Sequence, residues 1–173
     1  MDMSITFENA IEHTQDLLSQ IEFLDANIII EKITDLISTE NGARGFFVTY
    51  LTSDLPYTEH PSLEVITALK TCPIMVNELL VKNLAMSTAM VIYHRSQGDE
   101  ENARGSEKVQ EKTSQLIKQL LSPALGEKLQ QLATSLNRGQ GEYQAFLGRW
   151  GYDDYQRQAI AEIIQPFLQY WGC

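Results

Sequence analysis

Three histidines, two cysteines and 23 carboxylates are the groups from which this 173-residue chain would have to build catalysis or metal binding. His13, His60 and His94 fall in three separate segments. A di-iron carboxylate bundle needs Glu-x-x-His on two helices. The residues three before each histidine are Ala10, Tyr57 and Val91, so that motif is missing. No two histidines have the spacing with which one helix binds zinc. The adjacent pairs Glu12-His13 and Glu59-His60 point to different faces or lie in a loop. His94, followed by Arg95, reads as a cation near the negative end of a helix rather than as a haem ligand. Cys72 has no histidine or second cysteine close in sequence and reads as a structural thiol. Its setting, Lys70-Thr71-Cys72-Pro73-Ile74, lacks the Arg- and Asp-rich context of bilin attachment. There is no Gly-x-Ser-x-Gly elbow, phosphate-binding loop or dinucleotide fingerprint. The chain therefore reads as non-enzymatic more than as an enzyme of unrecognised type, with no metal and no cofactor.

The charge balance narrows the partners. A net charge of −10 and a pI near 4.7 lack the basic footprint of a nucleic-acid binder. Residues 1–64 hold twelve acids and two bases, whereas residues 65–173 hold eleven of each. All of the net charge thus sits on the first third, as a solvated face or a docking face for a basic partner. The least polar stretch, Leu79 to Tyr93, is interrupted by Lys82, Asn83, Ser87 and Thr88. It falls short of the roughly 20 apolar residues a membrane span needs. The first residues lack the basic and apolar regions of a signal peptide. A soluble, cytoplasmic, reduced protein that binds no membrane and no nucleic acid is expected.

The elements that would position any site are helices. Ile5, Phe7, Ala10, Ile11, Leu17, Leu18, Ile21 and Leu24 make a helical stripe. Asp25 opens a second helix that Asn41-Gly42 should end. Phe46 to Leu51 has strand-like composition but no β partner anywhere in the chain, so it reads as a short helix. Another follows at 62–71. Pro73 opens a long helix to about Ser96, apolar nearly all round and hence buried. Asp99 starts the next helix, whose first turns carry little to bury and should protrude. Ser122-Pro123 opens another, closed by Gly139. Asp153 with Gln156 makes a capping box for the last helix, and Trp150 should lie in the core. The fold expected is all-α: one domain over residues 1–173, a compact bundle of six to eight helices around a long buried central helix.

The strings Asn41-Gly42-Ala43-Arg44-Gly45-Phe46-Phe47-Val48-Thr49-Tyr50-Leu51 and Leu80-Val81-Lys82-Asn83-Leu84-Ala85-Met86-Ser87-Thr88-Ala89-Met90 resemble an uncharacterised family of all-helical cyanobacterial proteins. The resemblance implies a cytoplasmic helical protein of a phototroph. It supplies no activity and no site.

Two functions of different kinds follow. The first is a non-enzymatic helical interaction or assembly protein, self-associating as a homodimer or engaging a protein partner. Its candidate interface is Phe167, Tyr170 and Trp171, since exposed aromatic surface favours pairing. The alternative is a small-molecule sensor or carrier. Its candidate pocket lies beside the central helix, with Arg44 and Tyr50 above Asn83 and Ser87.

Overall fold

The structure is a computed structural model that describes residues 4–168. Among these stand nine α-helices and no strand. They are α1 (Phe7–Gln20), α2 (Ala26–Ile37), α3 (Glu40–Thr52), α4 (Leu63–Leu69), α5 (Pro73–Ser96), α6 (Glu100–Leu120), α7 (Pro123–Arg138), α8 (Gln144–Trp150) and α9 (Asp154–Leu168). The helix expected at 62–71 is α4, and the expected six to eight becomes nine because the seven-residue α8 closes as a helix of its own. The chain forms two compact units that divide between Leu79 and Leu80, inside α5.

In the first unit, Thr6 caps α1 by accepting from Asn9 N at 3.1 Å, and α1 buries Ala10, Thr14, Leu17 and Leu18. α3 packs on α1 and α2, and α2 packs on α4. The sequence reading ended a helix at Asn41-Gly42. Instead, Thr39 accepts from Gly42 N at 3.1 Å and caps α3, so Gly42 lies inside the new helix. The glycine is there for closeness rather than for a left-handed turn: a Cβ would run into the Leu36 carbonyl. A Cβ at Gly45 would likewise meet the Ala10 methyl of α1. The segment with strand-like composition is helical, as expected. Helical spacing stacks Phe46 on Tyr50 (5.5 Å, 21°) and sets Phe46 edge-on to Phe47 (5.5 Å, 71°). All three rings are buried.

In the second unit, α5 buries Leu80, Leu84, Ala85 and Ala89 completely. The whole of α5 is not buried, however. Ile74 is 84% exposed, Tyr93 49% and Met90 37%. By length and composition alone α5 could cross a membrane, yet 56% of its most apolar stretch is buried within the fold. Asp99 caps α6 as expected, accepting from Asn102 N (3.1 Å) and Nδ2 (2.6 Å). The first turns of α6 are better tied down than the sequence suggested. Ala103 is fully buried, and the Arg95 guanidinium reaches Glu100 (3.4 Å) and Glu107 (3.2 Å). Ser122 caps α7, and Gly139 closes it at φ +66. Trp150, expected in the core, is half exposed. The short α8 buries Leu147 instead. Trp150 is its last residue, before the left-handed Gly151, with the Arg149 guanidinium 5.8 Å from its ring.

Two outcomes follow from this packing. Gly45→Ala should destabilise the protein by about 1–3 kcal/mol in urea melts, because the added methyl overpacks the α1–α3 crossing. An unchanged melt would mean that the two helices do not meet there. The second concerns alkali. Burial pushes the Tyr152 phenol up from 10.0 to about 12. It also raises Tyr50, with the charge of Tyr57 adding to the effect. A phenol that holds its proton more tightly when folded stabilises the fold fully below its unfolded value. That contribution is lost as pH climbs from about 10 to about 12. Stability should therefore fall across that window, and less steeply in Tyr152→Phe. Equal slopes for the two proteins would contradict the burial of this phenol.

Candidate functional site

One surface of the second unit lies where α9 meets the C-terminal half of α5. Its backbone is pinned by glutamines. Gln156 forms the expected capping box: Gln156 N donates to Asp153 Oδ1 (2.8 Å), and Asp153 N donates to Gln156 Oε1 (2.9 Å). The same side chain then donates from Nε2 to the Ala89 carbonyl of α5 at 3.1 Å. One residue therefore starts α9 and fastens it to α5. On the other flank, Gln110 of α6 donates to Thr88 Oγ1 at 2.9 Å. These bonds satisfy part-buried polar groups of α5, as buried polar groups require.

Between the helices lies a groove of about 450 Å³, with Ile92, Tyr93, Tyr155 and Ala159 among its walls. A second hollow of about 300 Å³ adjoins it and shares Ile92, Ala159 and Glu162. Tyr155 is 78% exposed. The rim is polar, with Asp153, Gln158 and Glu162 on the α9 side. Arg95 lies along the smaller hollow, its charge favoured by Glu100 and then Glu107. Asp99 has its carboxyl lowered chiefly by its hydrogen bonds from Asn102. His94 Nδ1 lies 3.8 Å from Asp99 Oδ2, where α5 ends. This arrangement can bind by apolar contact and peripheral hydrogen bonding. It brings no nucleophile and base together.

The residues named from sequence fall as follows. Arg44 is exposed on α3, its guanidinium 5.4 Å from the Phe7 ring centre, while Tyr50 is buried. Both belong to the first unit. Asn83 and Ser87 belong to the second: Asn83 is half-buried, and Ser87 donates to the Leu84 carbonyl of its own helix at 3.2 Å. Phe167 is buried at 4% exposure. Tyr170 and Trp171 lie outside the described residues. Among the described residues no cluster of three His, Cys, Asp or Glu side chains could hold a metal ion. Cys72 is a free, half-buried thiol. Met90 and Tyr93 were missed because a helix with apolar residues on nearly every side carries no periodicity that tells its outer face from its inner ones.

The first unit has an open cleft of about 570 Å³ between α1 and α2. Leu17 and Leu36 give it an apolar floor, and His13, Asp16, Lys32 and Asp35 stand on its walls.

The chain matches no curated protein and no solved structure. A family model does match, over residues 6–167. The chain belongs to that family, described as uncharacterised conserved protein UCP020893.

Proposed function

We propose that this protein is a non-catalytic helical interaction protein that assembles with itself. One observation carries the reading. The second unit combines balanced charge with large apolar side chains left in solvent. Residues 80–173 hold ten acids and ten bases, whereas residues 1–79 hold thirteen acids and three bases. Met90, Tyr93, Trp150 and Tyr155 all stand exposed on the balanced unit. Apolar surface is what association hides, and balanced charge lets like surfaces approach. The acidic unit keeps the assembled protein soluble, and its charge sets a limit on association through long-range repulsion.

A second reading, a small-molecule carrier, draws on the cleft between α1 and α2. Its volume lies in the range of ligand pockets.

Sedimentation velocity over a concentration series tests the first reading. A reversible dimer should form, and raising the salt should tighten it, because salt screens repulsion between the two acidic units. A monomer at every concentration, or a dimer that falls apart in salt, would defeat the reading. Native mass spectrometry of the same sample reads the second: a co-purifying small ligand on a monomer would favour the carrier.

A further inference from the structure

We infer that the cleft between α1 and α2 binds a small zwitterion with an apolar body, the chemistry of a free amino acid with a large apolar side chain. Asp16 and Asp35 take the ammonium group, Lys32 and His13 the carboxylate, and Leu17 and Leu36 the apolar body. The inference rests on the small-molecule carrier reading above and names its ligand.

Three observations carry it. The first is that the walls hold both signs of charge. Helical spacing puts His13, Asp16 and Leu17 on one face of α1, and Lys32, Asp35 and Leu36 on one face of α2. Each wall thus brings one carboxylate and one basic side chain, and all four are exposed. The second is the floor. Leu17 and Leu36 are buried within the unit, so the apolar surface between the charges is fixed in place. The third is preorganisation. Both walls are seated on α3 by glycines. Gly45 leaves no room for a methyl against Ala10 of α1, and Gly42 leaves none against the Leu36 carbonyl of α2. Thr39, at the rim, caps α3 by accepting from Gly42 N at 3.1 Å. The cleft therefore stands open before a ligand arrives, and little backbone ordering is left to oppose binding.

The same walls select against other classes. A purely apolar ligand would strip water from polar groups and give them nothing in return. A net anion meets two carboxylates in a unit that holds thirteen acids and three bases. Among the described residues no cluster of three His, Cys, Asp or Glu side chains could hold a metal ion. An organic cation gains from Asp16 and Asp35 but brings like charge to Lys32. A zwitterion gives each wall a partner for both of its polar groups.

The test titrates the full chain with three probes. They are L-phenylalanine, its methyl ester, which lacks the negative charge, and N-acetyl-L-phenylalanine, which lacks the positive one. In calorimetry each derivative should bind at least about 10-fold more weakly than the amino acid, because each loses a charge-assisted contact. Amide NMR shifts should be confined to residues of α1 and α2 and their flanks. Lys32→Gln should weaken the amino acid by at least about 10-fold and leave the methyl ester as tight or tighter. Asp16→Asn/Asp35→Asn should weaken the amino acid and spare the N-acetyl derivative. These side chains are exposed, so the variants should keep their helicity in circular dichroism. The comparison of probes on the unaltered protein stands whether or not they do. A methyl ester that binds as tightly as the amino acid makes the cleft a cation site, and a preferred N-acetyl derivative makes it an anion site. Either overturns the zwitterion and leaves the carrier reading standing. Shifts confined to residues outside the cleft overturn the place. If none of the probes binds, the ligand class falls. If native mass spectrometry then shows no co-purifying small molecule, the carrier reading falls with it.

Discussion

The structure depends on one constraint: α5 is apolar around most of its circumference, so most of its sides must be covered. Leu80, Leu84, Ala85 and Ala89 are removed from water completely. Burying a leucine side chain contributes roughly 1.5–3 kcal/mol relative to leaving it exposed. No other helix of the described residues is as long, and none other spans the division between the two units. α5 also carries polar groups inward, and the fold supplies their partners. Thr88 receives the Gln110 amide, and the Ala89 carbonyl receives the Gln156 amide. These bonds set the register of α6 and α9 on α5 as well as satisfying the groups that make them.

The same constraint accounts for the surface. A helix that is apolar on nearly every side leaves apolar side chains outside wherever its own chain does not cover it. On α5 these are Ile74, Met90 and Tyr93. Beside Tyr93, α9 adds Tyr155. The proposed self-association follows from that incomplete coverage and from the segregation of charge. The unit with the exposed tyrosines carries no net charge, and the other unit carries it all.

Much of the helical architecture was legible in the sequence, because caps and breakers have local causes. The Pro73 start and Ser96 end of α5, the Asp99 and Ser122 caps, the Asp153–Gln156 box and the Gly139 stop can each be read from a few neighbouring residues. What was misread depended on distance. Asn41-Gly42 looks like a helix end, but Gly42 answers to the Leu36 carbonyl and Gly45 to Ala10, close approaches that the local string does not reveal. Trp150 looks like core by its type, but a seven-residue helix buries Leu147 and leaves its last residue in solvent. The site was less legible than the fold. Arg44 and Tyr50 fall in one unit and Asn83 and Ser87 in the other, and nothing in periodicity foretells a division inside a helix.

The account stands on α5 being one uninterrupted, partly buried helix from the first unit into the second. Residue-resolved hydrogen exchange tests this most directly, because it reports the opening of each amide. Amides from Val76 through Ala89 should exchange slowly and as one cooperative group, with no gap at Leu79 and Leu80, and those from Met90 toward Ser96 faster in the dilute protein. Fast exchange confined to Leu79 and Leu80, with protection on either side, would show two helices joined by a hinge and would contradict the account.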